Sequence, residues 1–580
     1  MQSVMKKFSF KNWIEKIQLV ALRFPFTLFF VVGFTFFLLI QINQSGNNQQ
    51  ERNWTFFSLG ILLSLSVTLL SERLKNLYQI GLNLLSIILL LFYCYLLPEN
   101  FHPVHIYQAI SIGIVLFLTA FFVSFFKKGN DIPFWEFSKE SIIQLIITVL
   151  FAQILMAGLS LAVLSLKELF KINIDDKVYG DLAVISYVLF GGIYFLANIP
   201  DKTEKYKQIY NFNKFLKVLG LYILLPILAI YCLILYVYLV QILANWQLPN
   251  GYVSMLVSVL GLGGFITMLI LYPLRLEKNK IAVLLSKYFP VLLLPLLVLM
   301  SVGIFRRLGD YGMTINRLYI LILNVWLYGI SIYLFISKAN HLKWIIVSFA
   351  AVLLVTSVGP WSVYHITKRT MIKEIAQLLS ESKLLKDGKV IDNQEKIIHL
   401  DPKVSDQLAE DIKYMATNYR VEKLQPFFSQ SIKNKTWSEL NKILGINNIP
   451  IKDTHFNAWF ERKGSAALNT EQYKSFFYLP SFGDQKNDTI LINNQLTIIL
   501  KNSNLLLSSE NSEFTQFEIP LKPKLKEIIK TQKTRGSFTI DEMTITSDNY
   551  KLLINSVSGN YFAHNDSIHI NNCDALLFLK

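Results

Sequence analysis

Eleven long apolar runs lie in the first 364 residues of the chain, and no run of that length follows them. Each run has about 17 to 25 residues, the length with which an α-helix crosses roughly 30 Å of hydrocarbon. The pattern therefore predicts about eleven transmembrane helices. Their approximate ranges are 25–42, 54–71, 78–97, 104–126, 142–166, 181–199, 218–243, 251–273, 288–305, 318–336 and 344–364.

The first 23 residues precede these runs and have a different pattern. Phe10, Trp13, Ile14 and Ile17 recur at helical spacing among lysines, as in a helix that lies in the membrane interface. No small-residue cleavage motif follows, so we expect this segment to be retained. The pattern predicts an interfacial amphipathic N-terminal helix over 1–23, although a basic anchor for the first crossing explains the lysines equally well.

The chain becomes polar after residue 365. Apolar positions at helical spacing predict a helical soluble segment over 366–450. Short alternating runs separated by Asn, Asp, Gly and Ser predict a strand-rich soluble domain over 451–580. The predicted fold is an α-helical polytopic membrane protein with a transmembrane domain over 24–365, followed by a C-terminal soluble α+β domain that contains an antiparallel sheet.

Composition agrees with a membrane location. Hydrophobic residues make up 53% of the 580 residues, charged residues make up 17%, and the mean hydropathy is +0.40. A soluble fold needs roughly 25% charged residues. The basic excess lies in the membrane half, which has 28 Lys and Arg against 15 Asp and Glu, compared with 28 against 25 after residue 364. Because this excess lies in short loops rather than on a soluble face, we expect no nucleic-acid partner.

The short loops carry Lys and Arg unequally. With the N-terminus taken as cytoplasmic, the inner segments hold 21 of these residues and the outer loops hold 7. Positive residues concentrate on the cytoplasmic side of membrane proteins. We therefore expect a multi-pass protein of the bacterial inner membrane, in which eleven crossings place the C-terminal domain outside the cytoplasm. An error of one helix would reverse that side.

Motifs that carry catalytic chemistry are missing from the sequence. No ionisable side chain lies deep inside the apolar runs, which disfavours a proton-coupled carrier. His564, Asp566 and His569 are close enough in sequence to hold a metal, but a turn between two strands explains them better. There is no Gly-x-Ser-x-Gly elbow and no phosphate-binding loop. We predict no catalytic residue, no metal and no cofactor, and the sequence favours a protein that is not an enzyme.

Small residues recur in the eighth apolar run, as Gly261, Gly263 and Gly264. Where side chains are missing, the backbones of two helices can approach closely. The spacing therefore indicates tight helix packing, and a glycine-lined substrate path is the alternative interpretation.

A polar cluster between the ninth and tenth runs is the strongest candidate site. Arg307, Asp310, Tyr311 and Arg317 lie close together in a loop on the side where arginine is disfavoured. One interpretation is a structural clamp at a helix hairpin, in which Arg307 and Asp310 pair across one turn. The other is an anion site, in which arginine binds a lipid headgroup phosphate or a carboxylate.

Four segments together resemble a known family of bacterial membrane proteins. They are RLGDYGMTINRLY over 307–319, WQLPNGYVS over 246–254, DIPFW over 131–135 and GPWS over 359–362. Taken together and in their order along the chain, they resemble the family named domain of unknown function 4153. The resemblance implies a polytopic bacterial inner-membrane protein. It implies no activity, so it assigns no catalytic residue.

The three cysteines limit disulfide formation. Cys94 and Cys232 lie in apolar runs, so Cys573 has no partner cysteine in the soluble region. An intrachain disulfide within that region is therefore excluded, and Cys573 is a candidate site for chemical labelling.

Two classes of function remain open. The leading hypothesis is an envelope interaction or sensing protein, whose outer domain binds an envelope protein or glycan while the helices anchor it in the lipid bilayer. The alternative is a transporter or lipid-handling protein, in which Arg307, Asp310 and Arg317 contact an anionic headgroup or solute. A membrane-embedded enzyme comes third, because acid, base and metal ligands are missing.

Overall fold

The structure is a computed structural model of the chain. It describes residues 10–44, 50–72, 74–98, 101–126, 129, 131–201, 205–206, 212–245, 252–382, 384–386, 388–390, 402–433, 435–444, 454–460, 472–473, 475–482, 490–492, 496–501, 504–509, 517–530, 535–539, 541–562 and 567–579. The chain separates into two compact units, Met1–Ile446 and Asn447–Lys580.

Apolar helices build the membrane part of the first unit. Within the described residues, ten helices are long and apolar enough to cross a membrane, and one further apolar helix has 15 residues. The helices of this part are α1 (Phe10–Arg23), α2 (Pro25–Asn43), α3 (Glu51–Ser71), α4 (Asn76–Leu96), α5 (Pro103–Phe122), α6 (Asp131–Phe170), α7 (Lys177–Ala197), α8 (Lys214–Asn245), α9 (Tyr252–Ile270), α10 (Tyr272–Leu276), α11 (Lys280–Tyr311), α12 (Ile315–Ile336) and α13 (Lys343–Ser357).

α6 is longer than the hydrocarbon layer is thick. Its 40 residues extend over about 60 Å at 1.5 Å per residue, roughly twice that thickness. The predicted crossing over 142–166 lies inside it, and the preceding residues from Asp131 to Ser141 are mostly buried in protein. The helix therefore carries charged residues at its start without placing them in hydrocarbon.

α13 joins the two ends of the helix bundle although it is short. At its start, Lys343 Nζ donates to the Phe125 carbonyl oxygen at 3.3 Å, just beyond the end of α5. Near its other end, the Ser357 carbonyl oxygen accepts from Gln108 Nε2 at 3.2 Å, in the second turn of α5. α13 thus runs antiparallel to α5. The two ends of the bundle are named the Asp131 end and the Gly312 end after one residue in each.

The segment after α13 is built onto the Gly312 end. Its elements are α14 (Val363–Glu381), β1 (Leu385–Lys386), β2 (Lys389–Val390), α15 (Pro402–Asn418), a 3-10 turn (Val421–Phe427) and α16 (Trp437–Ile443). Apolar faces of α14 and α15 share one hydrophobic core with Val104 of α5 and Leu318 of α12. The Tyr419 hydroxyl donates to the Tyr364 carbonyl oxygen at 2.7 Å and ties the end of α15 to the start of α14. This segment therefore belongs to the same compact unit as the membrane helices.

The second unit consists of strands and one helix around its own core. Its elements are β3 (Thr454–Phe460), β4 (Ser475–Phe482), β5 (Ile490–Ile492), β6 (Leu496–Lys501), β7 (Asn504–Ser509), β8 (Phe517–Pro520), α17 (Lys522–Lys530), β9 (Arg535–Phe538), β10 (Thr544–Thr546), β11 (Tyr550–Phe562) and β12 (Ser567–Leu579). One sheet has the order β4-β12-β11-β3-β9, with β10 beside β11, and the other has the order β5-β6-β7-β8. All described strand pairs here are antiparallel except β3 with β9. α17 packs into the same core as both sheets.

The predicted fold class is confirmed. The membrane part is a bundle of apolar helices, and the C-terminal part combines helices with a largely antiparallel sheet. The predicted boundaries at 365 and 450 stay predictions, whereas the division between compact units falls after Ile446.

Candidate functional site

The predicted polar cluster lies at the Gly312 end, where α11 passes into α12. Arg307 is in the last turns of α11 and is exposed, and Arg317 is in the first turn of α12. The backbones of Asp310 and Tyr311 complete α11, and their side chains lie outside the described residues. Arg317 Nη1 donates to the Gly312 carbonyl oxygen at 2.7 Å. This hydrogen bond closes the turn between the two helices.

The backbone conformation at position 312 requires glycine, and Glu374 lies close to it. Its φ of 69° with ψ of −178° lies in a region that only glycine adopts readily. A Cβ added at this position would lie 2.6 Å from Glu374 Oε2 of α14. The absent side chain therefore lets the Glu374 carboxylate, which belongs to the segment after α13, reach the backbone of the turn between α11 and α12.

Side chains of α14 and α15 contact the turn between α11 and α12. Gln407 Nε2 of α15 donates to Glu374 Oε1 at 2.7 Å. The Ile315 backbone N–H donates to the Tyr414 hydroxyl at 3.0 Å, which satisfies one of the free N–H groups at the start of α12. The contact between the hairpin and these helices is named the Asp411 junction, and it comprises Gly312, Arg317, Glu374, Gln407, Asp411 and Tyr414.

Asp411 is a buried acid in this junction. It is 5% exposed, and its Oδ2 has no hydrogen-bond partner among the described residues. Burial, together with the charges of Glu374 and Glu410, raises the pKa of Asp411 to about 8, against a smaller lowering by Arg317. Asp411 is therefore mostly protonated at neutral pH and loses its proton in mildly basic solution. The junction can therefore respond to a proton.

Hydroxyl groups from four helices meet close to the junction. The Tyr319 hydroxyl donates to the Tyr364 hydroxyl at 2.8 Å, and Ser111 Oγ lies 2.9 Å from the Tyr364 hydroxyl. Ser357 Oγ lies 3.2 Å from the Tyr319 hydroxyl. These hydrogen bonds connect α5, α12, α13 and α14, because polar groups between apolar helices are satisfied by one another. They fix the start of α14 against the membrane helices.

A buried ionic group at the Asp131 end was missed by sequence reasoning. Glu72, just after α3, accepts from Arg23 Nη2 at 2.9 Å and from Lys205 Nζ at 2.8 Å. The Lys205 side chain is fully buried, with Nζ 5.4 Å from the Phe137 ring centroid and 5.9 Å from that of Phe125. A fully buried ammonium needs such partners, because an unpaired buried charge costs several kcal/mol. Together with Asp131, His341 and Lys343, these residues form the Glu72 network.

Asp131 supplies the second half of this network. Its Oδ2 lies 3.3 Å from His341 Nδ1 and 3.7 Å from Lys343 Nζ. Lys343 also donates to the Phe125 carbonyl oxygen, and the Phe125 ring faces Lys205, so Phe125 touches both halves. Arg23, Lys205 and Lys343 are among the 21 Lys and Arg residues of the inner segments, which the sequence analysis counted only as signals of orientation. An acid such as Glu72 in an otherwise basic segment was the signal that could have indicated an ion pair.

The predicted glycines differ in what surrounds them. A Cβ at Gly264 would overlap the Phe289 ring, and one at Gly261 would lie 3.0 Å from Leu327 Cδ2. A Cβ at Gly263 would meet nothing within 4 Å. Close approach on α9 is therefore made by Gly261 and Gly264.

The residues considered for metal binding and labelling are in the second unit. His569 lies on β12, and His564 and Asp566 lie outside the described residues. Within the described part of the chain, no group of three or more His, Cys, Asp or Glu residues could hold a metal ion. Cys573 is fully buried on β12, and burial raises the pKa of its thiol. Native Cys573 is therefore a poor target for labelling.

The bundle of apolar helices defines the class of this chain, which is a multi-pass membrane protein. The model of the family called "Domain of unknown function (DUF4153)" matches residues 26–384, more than half of the chain. The chain belongs to this family, and the resemblance seen in the sequence is confirmed. The matched region extends from α2 to just beyond the end of α14 and includes the Glu72 and Asp131 positions.

A curated relative matches part of the chain. The uncharacterized protein PM1469 of Pasteurella multocida (strain Pm70) is 24% identical over 285 residues, which is 48% of this chain and 48% of that protein. The chain thus matches about half the length of this curated relative. No solved structure matches the chain.

Proposed function

We propose that this protein is an envelope interaction or sensing protein of the bacterial inner membrane, which binds an envelope protein or glycan through its C-terminal unit. The observation that carries the proposal is an exposed aromatic face on the larger sheet of that unit. Trp459, Phe476 and Tyr478 are 42%, 66% and 51% exposed. Exposed aromatic side chains of this size are enriched where proteins bind partners.

The three aromatic residues share one face of the larger sheet. Phe476 and Tyr478 are two positions apart on β4 and so point the same way. The Tyr478 hydroxyl donates to Asp574 Oδ2 at 2.8 Å. Asp574 pairs with Ser556, and Ser556 pairs with Trp459, so these side chains project from one face. Flat rings beside a carboxylate suit both the apolar face and the hydroxyls of a sugar, as well as a protein surface.

Two observations support an extracytoplasmic position for this unit. α13 runs from the Asp131 end to the Gly312 end, which favours an odd number of crossings. The segments at the Asp131 end are those in which Lys and Arg predominate, as expected on the cytoplasmic side. With the N-terminus in the cytoplasm, the chain then leaves the membrane on the outside.

A sensing role is favoured by the way α14 and α15 are attached. They are fixed to the membrane hairpin through the Asp411 junction rather than tethered by a flexible linker. A change in α14 or α15 can therefore pass to α11 and α12 through Glu374 and Tyr414. We propose that Arg317 acts as a clamp in this junction, because its guanidinium is engaged by the Gly312 carbonyl oxygen.

Site-specific photo-crosslinking in living cells tests the proposed face. A benzophenone amino acid at Phe476 should give a discrete adduct with an envelope protein or with cell-wall glycan. The same group at Asp548, which is exposed elsewhere in the unit, is the matched control. Identical adduct patterns at both positions, or none at Phe476, would remove the support for this surface.

A rescue experiment tests the function of the unit. A chain ending at Ile446 keeps the whole first compact unit and lacks the aromatic face. We expect it to reach the membrane at normal abundance and to fail to restore the envelope integrity of a null mutant. The Trp459→Ala, Phe476→Ala and Tyr478→Ala triple variant should fail in the same way. Full rescue by the shortened chain would contradict the proposal.

A further inference from the structure

A group of basic residues lies where the chain leaves the membrane helices at the Gly312 end. His365, Lys368 and Arg369 are in the first two turns of α14, and Lys423 is in the 3-10 turn that follows α15. His365, Arg369 and Lys423 are exposed, and Lys368 is half-buried. These four residues are named the basic patch.

The cations of the patch repel one another. Burial and the charges of Lys423 and Arg369 lower the pKa of Lys368. Burial and the charges of Lys368 and Arg369 lower the pKa of His365. Within the described residues, no carboxylate forms an ion pair with Lys368, Arg369 or Lys423. The patch therefore has a positive potential that an anion would neutralise.

Arg420 and two acids, Glu51 and Glu422, also lie near the patch. Arg420, which shares the turn with Lys423, donates from Nε to His102 Nε2 at 2.7 Å. Burial and the charge of Arg420 lower the pKa of His102, against a smaller raising by Glu422 and Glu51. Among the described residues, neither Glu51 nor Glu422 forms an ion pair with the patch.

The length of α13 places the patch at the membrane surface. Its 15 residues extend over about 22 Å, less than the roughly 30 Å of hydrocarbon. Ser357, the last residue of α13, contacts Gln108 in the second turn of α5 and Tyr319 in the second turn of α12. The starts of α5 and α12 therefore lie beyond Ser357, at the level of the turn that leads into α14. This is where lipid headgroups meet a membrane protein.

Exposed apolar residues next to the patch are consistent with a position at the level of the lipid headgroups. Trp361 is 61% exposed, and Val358 and Ile366 are 41% and 39% exposed. Tryptophan concentrates at the membrane interface, where its ring meets the headgroup layer. Apolar side chains beside cations are typical of a surface that contacts anionic lipids, whereas a soluble acidic partner would not require the apolar residues.

We propose that the basic patch binds the phosphate groups of anionic phospholipids in the leaflet at the Gly312 end. Lysine and arginine donate charge-assisted hydrogen bonds to phosphate, and arginine does so with two parallel bonds. The lipid would hold the start of α14 at the membrane surface. This inference does not depend on the aromatic face of the second unit.

The test uses the purified full-length protein in detergent with added phosphatidylglycerol or zwitterionic phosphatidylcholine, and native mass spectrometry counts the bound lipids. The patch variant is Lys368→Gln, Arg369→Gln and Lys423→Gln. The matched control is Lys373→Gln, Lys389→Gln and Lys433→Gln, three exposed lysines of the same unit. We expect the patch variant to lose about a hundredfold in apparent affinity for phosphatidylglycerol, while the control keeps it.

Three results would overturn the proposal. The first is equal retention of phosphatidylglycerol by the patch variant and the wild type. The second is its displacement by inorganic phosphate at matched concentration, which would make the patch a site for free phosphate. The third is displacement by polyglutamate at lower concentration than by phosphatidylglycerol, which would indicate an acidic protein partner. The single Lys423→Gln variant, at an exposed position, should show a smaller loss with unchanged thermal unfolding and so separates binding from folding.

Discussion

The carboxylate of Glu374 occupies the space that a side chain at Gly312 would fill, with Oε2 2.6 Å from the position of an added Cβ. Gly312 lies in the turn between two membrane helices, and Glu374 lies on α14 after the last crossing. The post-membrane segment is therefore attached to the membrane bundle at a position where only glycine fits.

Replacing Gly312 by alanine should destabilise the protein. The new Cβ would strain a backbone with φ of 69° and would press on Glu374, at a cost of about 1–3 kcal/mol. Thermal unfolding of the purified protein in detergent measures the effect. Gly309→Ala is the control, because a Cβ there meets nothing within 4 Å. Equal melting temperatures for the two variants would show that the contact is unimportant.

Asp411 should make the stability of the first unit depend on pH. Burial raises its pKa to about 8, so the folded state holds the proton more tightly than the unfolded chain does. This stabilisation is complete below the unfolded pKa of about 4 and is lost as pH rises through 8. We expect the unfolding free energy of the wild type to fall between pH 5 and pH 9, on the order of several kcal/mol at most.

The Asp411→Asn variant should abolish most of that pH dependence. The amide resembles the protonated acid and does not ionise. Urea or thermal unfolding at pH 5, 7 and 9 measures the slope, with Asp548→Asn in the second unit as control. If Asp411→Asn keeps the wild-type slope, another group is responsible.

Lys205 should be essential for the Glu72 network. Lys205→Met keeps the length of the side chain but leaves Glu72 with Arg23 as its remaining cation in the network, at a cost of about 3–5 kcal/mol. Low membrane abundance and a lowered melting temperature are the expected results. Lys214→Met, at an exposed position, should have little effect. Wild-type stability of Lys205→Met would mean that the ion pair is not needed for folding.

Alanine should lower the stability of the protein at position 264 but not at position 263. A Cβ at Gly264 would overlap the buried Phe289 ring, so Gly264→Ala should lower stability by about 1–3 kcal/mol. A Cβ at Gly263 meets nothing within 4 Å, and Gly263→Ala should be tolerated. The two variants differ by one position on the same helix, so each controls for the other. Equal effects in a thermal unfolding experiment would contradict the packing interpretation.

The membrane helices could be predicted from the sequence because hydrophobicity over about 20 residues is a local property. The junction could not, because Gly312 and Glu374 are far apart along the chain and meet only after packing. Asp411 resembles a surface residue of an amphipathic helix, and tertiary contacts decide that it is buried. The ion pair between Glu72 and Lys205 could not be predicted for the same reason. In addition, charged residues in loops also serve as orientation signals.

The side of the membrane on which the second unit lies is the most direct test of the proposed function. Native Cys573 is buried, so the wild type is a background control, and the exposed position in Asp548→Cys supplies the target. A maleimide that cannot cross the inner membrane is added to cells with a permeabilised outer barrier, and Lys214→Cys reports on the segment expected in the cytoplasm. We predict that Asp548→Cys is labelled before lysis and Lys214→Cys only after it. The reverse order of labelling would place the second unit in the cytoplasm and contradict an envelope interaction role.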